Sequence, residues 1–91
     1  MTAAQFDRAV RMVDVMRNGN SQDDPIILLA PGGRVEFPTG SLSPLSPDQL
    51  GALLQGHGIM PSAIASPEDL FVNDYDLRIV RAAWESIMQA T

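Results

Sequence analysis

Residues 26 to 37 read Ile26-Ile27-Leu28-Leu29-Ala30-Pro31-Gly32-Gly33-Arg34-Val35-Glu36-Phe37, and this stretch decides the fold class. Its first part is a short aliphatic run and its last part alternates polar with apolar. Pro31, Gly32 and Gly33 between them supply the punctuation of a tight turn, so the stretch reads as a β-hairpin. In an extended chain Ile26 and Leu28 face one side, and Ile27 and Leu29 the other. Both faces of the ribbon therefore carry large aliphatic groups, and Val35 and Phe37 add to one of them. A two-stranded ribbon of this kind is marginal alone and needs a third strand or packing on each face.

Outward from the hairpin the pattern is helical. From Ala3 to Arg17 the apolar residues Phe6, Ala9, Val10, Val13 and Met16 recur at three-and-four spacing, while Asp7, Arg8, Arg11 and Asp14 fall on the other side. Asn18, Gly19 and Asn20 end that helix, and Ser21 to Pro25 form a polar loop with Asp23 and Asp24. After the hairpin, Pro38 to Ser46 is rich in Ser, Pro and Gly and has no periodicity. Ser46, Pro47, Asp48 and Gln49 then form a strong helix start, with a serine cap, proline at the first position and glutamine three residues after the cap. Leu50, Leu53 and Leu54 supply its apolar stripe, and Gly56 to Gly58 end it with Ile59 placed to fold back.

A second start signal lies at Ser66, Pro67, Glu68 and Asp69. The final helix is expected from about Asp74 to Ala90, burying Leu77, Val80, Trp84, Ile87 and Met88 and pairing Arg81 with Glu85 four residues on. The expected fold is α+β, in one small domain over residues 1–91: an N-terminal helix, a β-hairpin, then two to three helices. No internal repeat is visible.

Composition bounds the function. A chain of 91 residues buries only about 60 to 65% of its unfolded surface, so help from an oligomer or partner is expected. Without cysteine there is neither a disulfide scaffold nor a thiolate metal site, which favours a cytoplasmic setting. The first residues lack the basic start and apolar run of an export signal, and no apolar stretch is long enough for a membrane span. Eleven carboxylates against six cations give a net charge of −5, an unfavourable field for phosphate backbones, so no direct nucleic-acid contact is expected. All the cations are arginine, as a GC-rich genome produces, though arginine is also the cation favoured at interfaces.

The residues that carry chemistry elsewhere are weighed against plainer roles. His57 is the lone imidazole, and acid-base work needs a partner that its neighbours do not supply; flanked by Gly56 and Gly58, it reads as a half-buried helix-ending residue. One histidine and no cysteine exclude the common zinc sets. Glu68, Asp69, Asp74 and Asp76 form an acidic segment without an intervening cation. A calcium loop counted from Asp74 has Arg78 fifth and Ile79 sixth and matches only at Glu85, so the pattern fails. The acids are then either helix N-terminal charges or a docking surface for a basic partner. Gly32 and Gly33 are turn glycines, since neither a P-loop lysine nor a dinucleotide fingerprint accompanies them. The serines show no nucleophile elbow. No catalytic residue, cofactor or metal is expected.

Leu50 to Leu54, Gly58, Ile59 and Ile64 echo helix-turn-helix spacing, but the would-be reading helix, Pro61 to Asp69, holds no cation. A degenerate unit of that kind turned to protein contact is a minor alternative. The function expected is an acidic protein-interaction module, a regulator, antagonist or accessory subunit. It would use the hairpin (Ile26, Leu28, Val35, Phe37) and the acidic segment (Glu68, Asp69, Asp74, Asp76) as partner-binding surfaces. Two hairpins pairing into a four-stranded homodimer sheet would cover the apolar ribbon, and a heterologous partner would do the same. The competing account wraps the ribbon inside the monomer. The alternative function is a structural subunit of a larger assembly, such as a phage particle or secretion apparatus, whose hairpin adds strands to its neighbours.

Overall fold

Thr2 and Gln5 open the first helix with a reciprocal cap: the Thr2 backbone N–H donates to Gln5 Oε1 at 2.7 Å and the Gln5 N–H to Thr2 Oγ1 at 3.2 Å. In the computed structural model, which describes residues 1–19 and 24–89, helix α1 spans Ala3–Gly19. Strands β1 (Ile26–Ala30) and β2 (Gly33–Phe37) follow, then α2 (Pro47–Gly56), two 3-10 turns (Pro61–Ala63 and Pro67–Asp69), α3 (Asp74–Ala82) and α4 (Trp84–Met88). The order is the α+β arrangement expected from sequence. Helix α1 is the hub, packing against α2, α3 and α4. The expected stop at Asn20 and the loop from Ser21 to Asp23 lie outside the described residues, as does Ala90.

The strands pair antiparallel across the two-residue turn Pro31-Gly32, with Ile26 opposite Phe37, Leu28 opposite Val35 and Ala30 opposite Gly33. The side chains of the inner face, from Ile26, Leu28, Ala30, Val35 and Phe37, are all buried among the helices. Ile26, Leu28, Val35 and Phe37, expected at a partner's surface, therefore lie inside this chain's own core, none more than 7% exposed. The physical reason is parity: β2 alternates strictly, and its polar residues Arg34 and Glu36 take the water side, which carries Ile27 and Leu29 out with them. A fragment of a third strand supports the ribbon. The Leu29 N–H donates to the Leu70 carbonyl at 2.9 Å, and Leu28 bridges to Phe71.

Helix α2 begins with the expected capping box, Ser46 N–H to Gln49 Oε1 at 2.8 Å and Gln49 N–H to Ser46 Oγ at 3.2 Å. It ends in a Schellman motif: Gly58 sits at φ +80, its N–H reaching Gln55 O at 3.0 Å, while the Ile59 N–H reaches Leu54 O at 3.0 Å. Gly33 and Gly58 also allow two backbones to touch, since a Cβ built on Gly33 would stand 1.7 Å from the His57 carbonyl oxygen. This fixes the hairpin turn against the end of α2. Residues 61–69 make two 3-10 turns, not the reading helix that the helix-turn-helix spacing suggested, because Pro61 and Pro67 each start a fresh turn.

Several helix expectations change. Asp14, placed on the solvent side of α1, is 2% exposed and accepts the Gly40 N–H at 2.7 Å, because the loop after β2 crosses the helix there. Met16, Leu53 and Met88, assigned to apolar stripes, are 43%, 40% and 40% exposed. The final helix is broken at Ala83, so Trp84 opens α4 half-buried against the core instead of sitting mid-stripe. Arg81 reaches back to Glu68, not forward to Glu85. One hydrophobic core cluster runs from Phe6 to Ile87. Among the described residues no buried side-chain nitrogen or oxygen lacks a hydrogen-bond partner.

Candidate protein-contact site

The bond from Leu29 to Leu70 brings the outer face of β1 beside the second 3-10 turn. Between them lies an open groove of about 660 Å³, lined by Leu29, Pro31, Ala63, Glu68, Asp69 and Val72 among others. Its apolar floor includes two large aliphatic side chains left in water, Leu29 at 48% exposure and Val72 at 52%. Its rim is acidic. The Asp69 carboxylate is oriented by the turn it caps, Oδ2 accepting from Ser66 N at 3.1 Å and from Ser66 Oγ at 3.2 Å. Glu68 is held below the ordinary glutamate range by its own backbone N–H and then by the Arg81 guanidinium, so it is anionic at neutral pH.

Of the residues expected to bind a partner, the structure brings Glu68 and Asp69 together with the hairpin, but through Leu29 instead of Ile26, Leu28, Val35 or Phe37. Asp74 is exposed in the first turn of α3, outside the groove. Asp76 is not a surface acid at all. It is 0% exposed, and a fork of bonds ties it to Arg17: Nε to Oδ1 at 2.7 Å and Nη2 to Oδ2 at 3.0 Å. Arg17 spends its third donor, Nη1, on the Asp24 carbonyl at 2.5 Å. The acidic segment thus divides into a groove rim (Glu68, Asp69), an exposed helix-start acid (Asp74) and a core anchor (Asp76).

Val72 escaped the sequence reading of the site, and Leu29 entered it only as the hairpin residue that shares a face with Ile27. Leu29 was marked by parity alone, as the residue sharing a face with Arg34. Val72 was marked only as an aliphatic residue between an acidic turn and the Asn73 cap of α3. His57 is exposed, not half-buried, and caps the end of α2 through its backbone. Among the described residues no set of three His, Cys, Asp or Glu side chains is placed to hold a metal ion. No described helix is long and apolar enough to cross a membrane. Comparison with protein-family models, curated proteins and solved structures finds no match for this chain.

Proposed function

We propose that this chain acts by binding another protein, as a small acidic regulator, antagonist or accessory subunit of the cytoplasm, and that the groove between β1 and the second 3-10 turn is its contact surface. The carrying observation is the pairing of Leu29 and Val72, each about half exposed, with the carboxylates of Glu68 and Asp69 on one concavity. Exposed aliphatic groups of this size beside fixed charge suit a partner segment that presents an apolar side chain next to a basic one. The apolar contact supplies affinity, and the charges orient and speed the encounter.

The test compares proteins captured from the native host by the parent and by a Leu29→Thr/Val72→Thr variant, with mass spectrometry as readout. The expected result is a basic protein held by the parent, lost from the variant and weakened by added salt. Equal capture by both proteins would remove the groove from consideration.

A second reading, a structural subunit that adds strands to its neighbours, is favoured by one observation: β2 is the last strand of a two-stranded sheet. Solution mass separates the two, since rings or filaments suit the structural subunit and a monomer or dimer the regulator.

A further inference from the structure

The two edges of the hairpin are not equivalent. Because the Leu29 N–H points away from β2 to reach Leu70, the backbone groups of Leu29 and Ile27 lie on the outer edge of β1. The register sets Leu29 opposite Arg34 and Ile27 opposite Glu36, so the backbone groups of Arg34 and Glu36 point the other way, out of the free side of β2. Segment 70–71 meets the β1 edge at Leu28 and Leu29, while among the described residues no strand pairs with the β2 edge.

We infer that two copies of this chain join through β2, antiparallel about a two-fold axis at Val35, into a four-stranded sheet. In that register Arg34 faces the partner subunit's Glu36 and Glu36 faces the partner subunit's Arg34, each couple exchanging two main-chain hydrogen bonds. The side chains agree with the backbone. Arg34 and Glu36 already lie 2.9 Å apart on the exposed face, and the two-fold sets them beside an identical pair of reversed order, so every guanidinium gains a second carboxylate.

Charged edge strands normally resist pairing. Here the charges choose a register instead of forbidding all of them. Sliding by two residues one way sets Arg34 against Arg34; sliding the other way sets Glu36 against Glu36 and Arg34 against Pro38, which has no N–H to give. A groove of about 470 Å³ beside this edge, walled by Leu53 of α2 and by His57 just past its end, provides the space in which the partner strand runs. This also gives the 40%-exposed Leu53 a cover. Because the same edge of each copy is used, the pairing is isologous and the assembly closes at two, which suits a regulator and not a filament. The contact groove lies on the β1 side and stays open in the dimer, so this pairing stands or falls apart from what the groove binds.

The experiment is sedimentation equilibrium with the purified full chain, from micromolar to near-millimolar concentration. The parent is expected at twice its 9.8 kDa chain mass. Arg34→Glu and Glu36→Arg each set like charges across the axis and should weaken pairing at least ~100-fold. The two variants mixed should form a heterodimer, because the edge of the first is then wholly acidic and the edge of the second wholly basic. The double exchange Arg34→Glu/Glu36→Arg should restore the homodimer. Should a charge variant fail to fold, Glu36→Pro removes the outward N–H while leaving the β1 ladder intact, and is expected to be monomeric with an unchanged circular dichroism spectrum. A parent that is monomeric throughout, or larger than a dimer, overturns the inference. So do single variants that still dimerise, or a mixture that does not associate.

Discussion

Two ion pairs tie a helix to an acid far along the chain, and they do so in opposite surroundings. Arg17 and Asp76 meet with side chains 1% and 0% exposed, whereas Arg81 and Glu68 meet at 57% and 47%. The inner pair has lost its water and must satisfy itself, which it does with a two-bond fork and a third bond to the Asp24 carbonyl. The outer pair exchanges protein contacts for water contacts at little net gain. The same chemistry is an anchor in one place and a surface ornament of the groove in the other; burial decides which.

The contrast is broken most directly at Asp76. Replacing it with Asn leaves the buried Arg17 without a counter-charge and should cost about 3–5 kcal/mol. For a domain whose whole stability is of order 5–15 kcal/mol, urea denaturation would then find a population close to its unfolding midpoint. Asp74→Asn, two residues earlier and exposed, should leave the urea midpoint almost unmoved. An unchanged midpoint for Asp76→Asn would place that carboxylate in water.

Removing both inner charges sharpens the point. Arg17→Met with Asp76→Leu leaves no unpaired ion, so the double variant should fall within about 2 kcal/mol of the parent, the remaining loss being the Asp24 carbonyl that is left without its donor. A double variant as unstable as the sum of the singles would mean zero coupling, with Arg17 and Asp76 contributing independently instead of neutralising one another.

At the outer pair, Glu68→Gln or Arg81→Gln should shift the thermal midpoint only slightly, and the difference should vanish in high salt. The smallest effect is in acid. Glu68 is depressed by its own backbone N–H first and by Arg81 second. Its contribution is therefore complete above the ordinary glutamate value of about 4.3 and disappears as pH falls through the lowered one. Carboxyl-carbon NMR should find its midpoint below that of a free glutamate, and Arg81→Gln should raise the midpoint only part of the way. A normal midpoint in the parent would mean that neither contact forms in solution.

These pairs also mark where the sequence was legible. Ser46, Pro47, Gln49 and Gly58 announced α2 because caps act within a few residues, and Pro31-Gly32 announced the hairpin for the same reason. The inner face of the hairpin was also within reach: Arg34 and Glu36 required water, which sent Val35, Phe37 and their partners Ile26 and Leu28 inward. Asp76 was beyond local reading, since its cation lies 59 residues earlier at the end of α1. Within its own stretch it resembles its exposed neighbours. The groove was hidden similarly, because Leu29 and Val72 come together only through the third-strand contact between Leu29 and Leu70.

The contact between the hairpin turn and the end of α2 bears on how this protein is handled at the bench. A hairpin tip is ordinarily where a chain accepts an inserted tag, a label or new termini. Here the tip is a bearing surface: a Cβ on Gly32 would stand 2.5 Å from the Gly58 oxygen, and one on Gly58 2.2 Å from the Gly32 oxygen. Neither side has a side chain to trade, so a substitution at one glycine has no compensating substitution at the other. Fluorophores belong instead on an exposed side chain away from that contact, such as Ser43, on the way from the hairpin to α2.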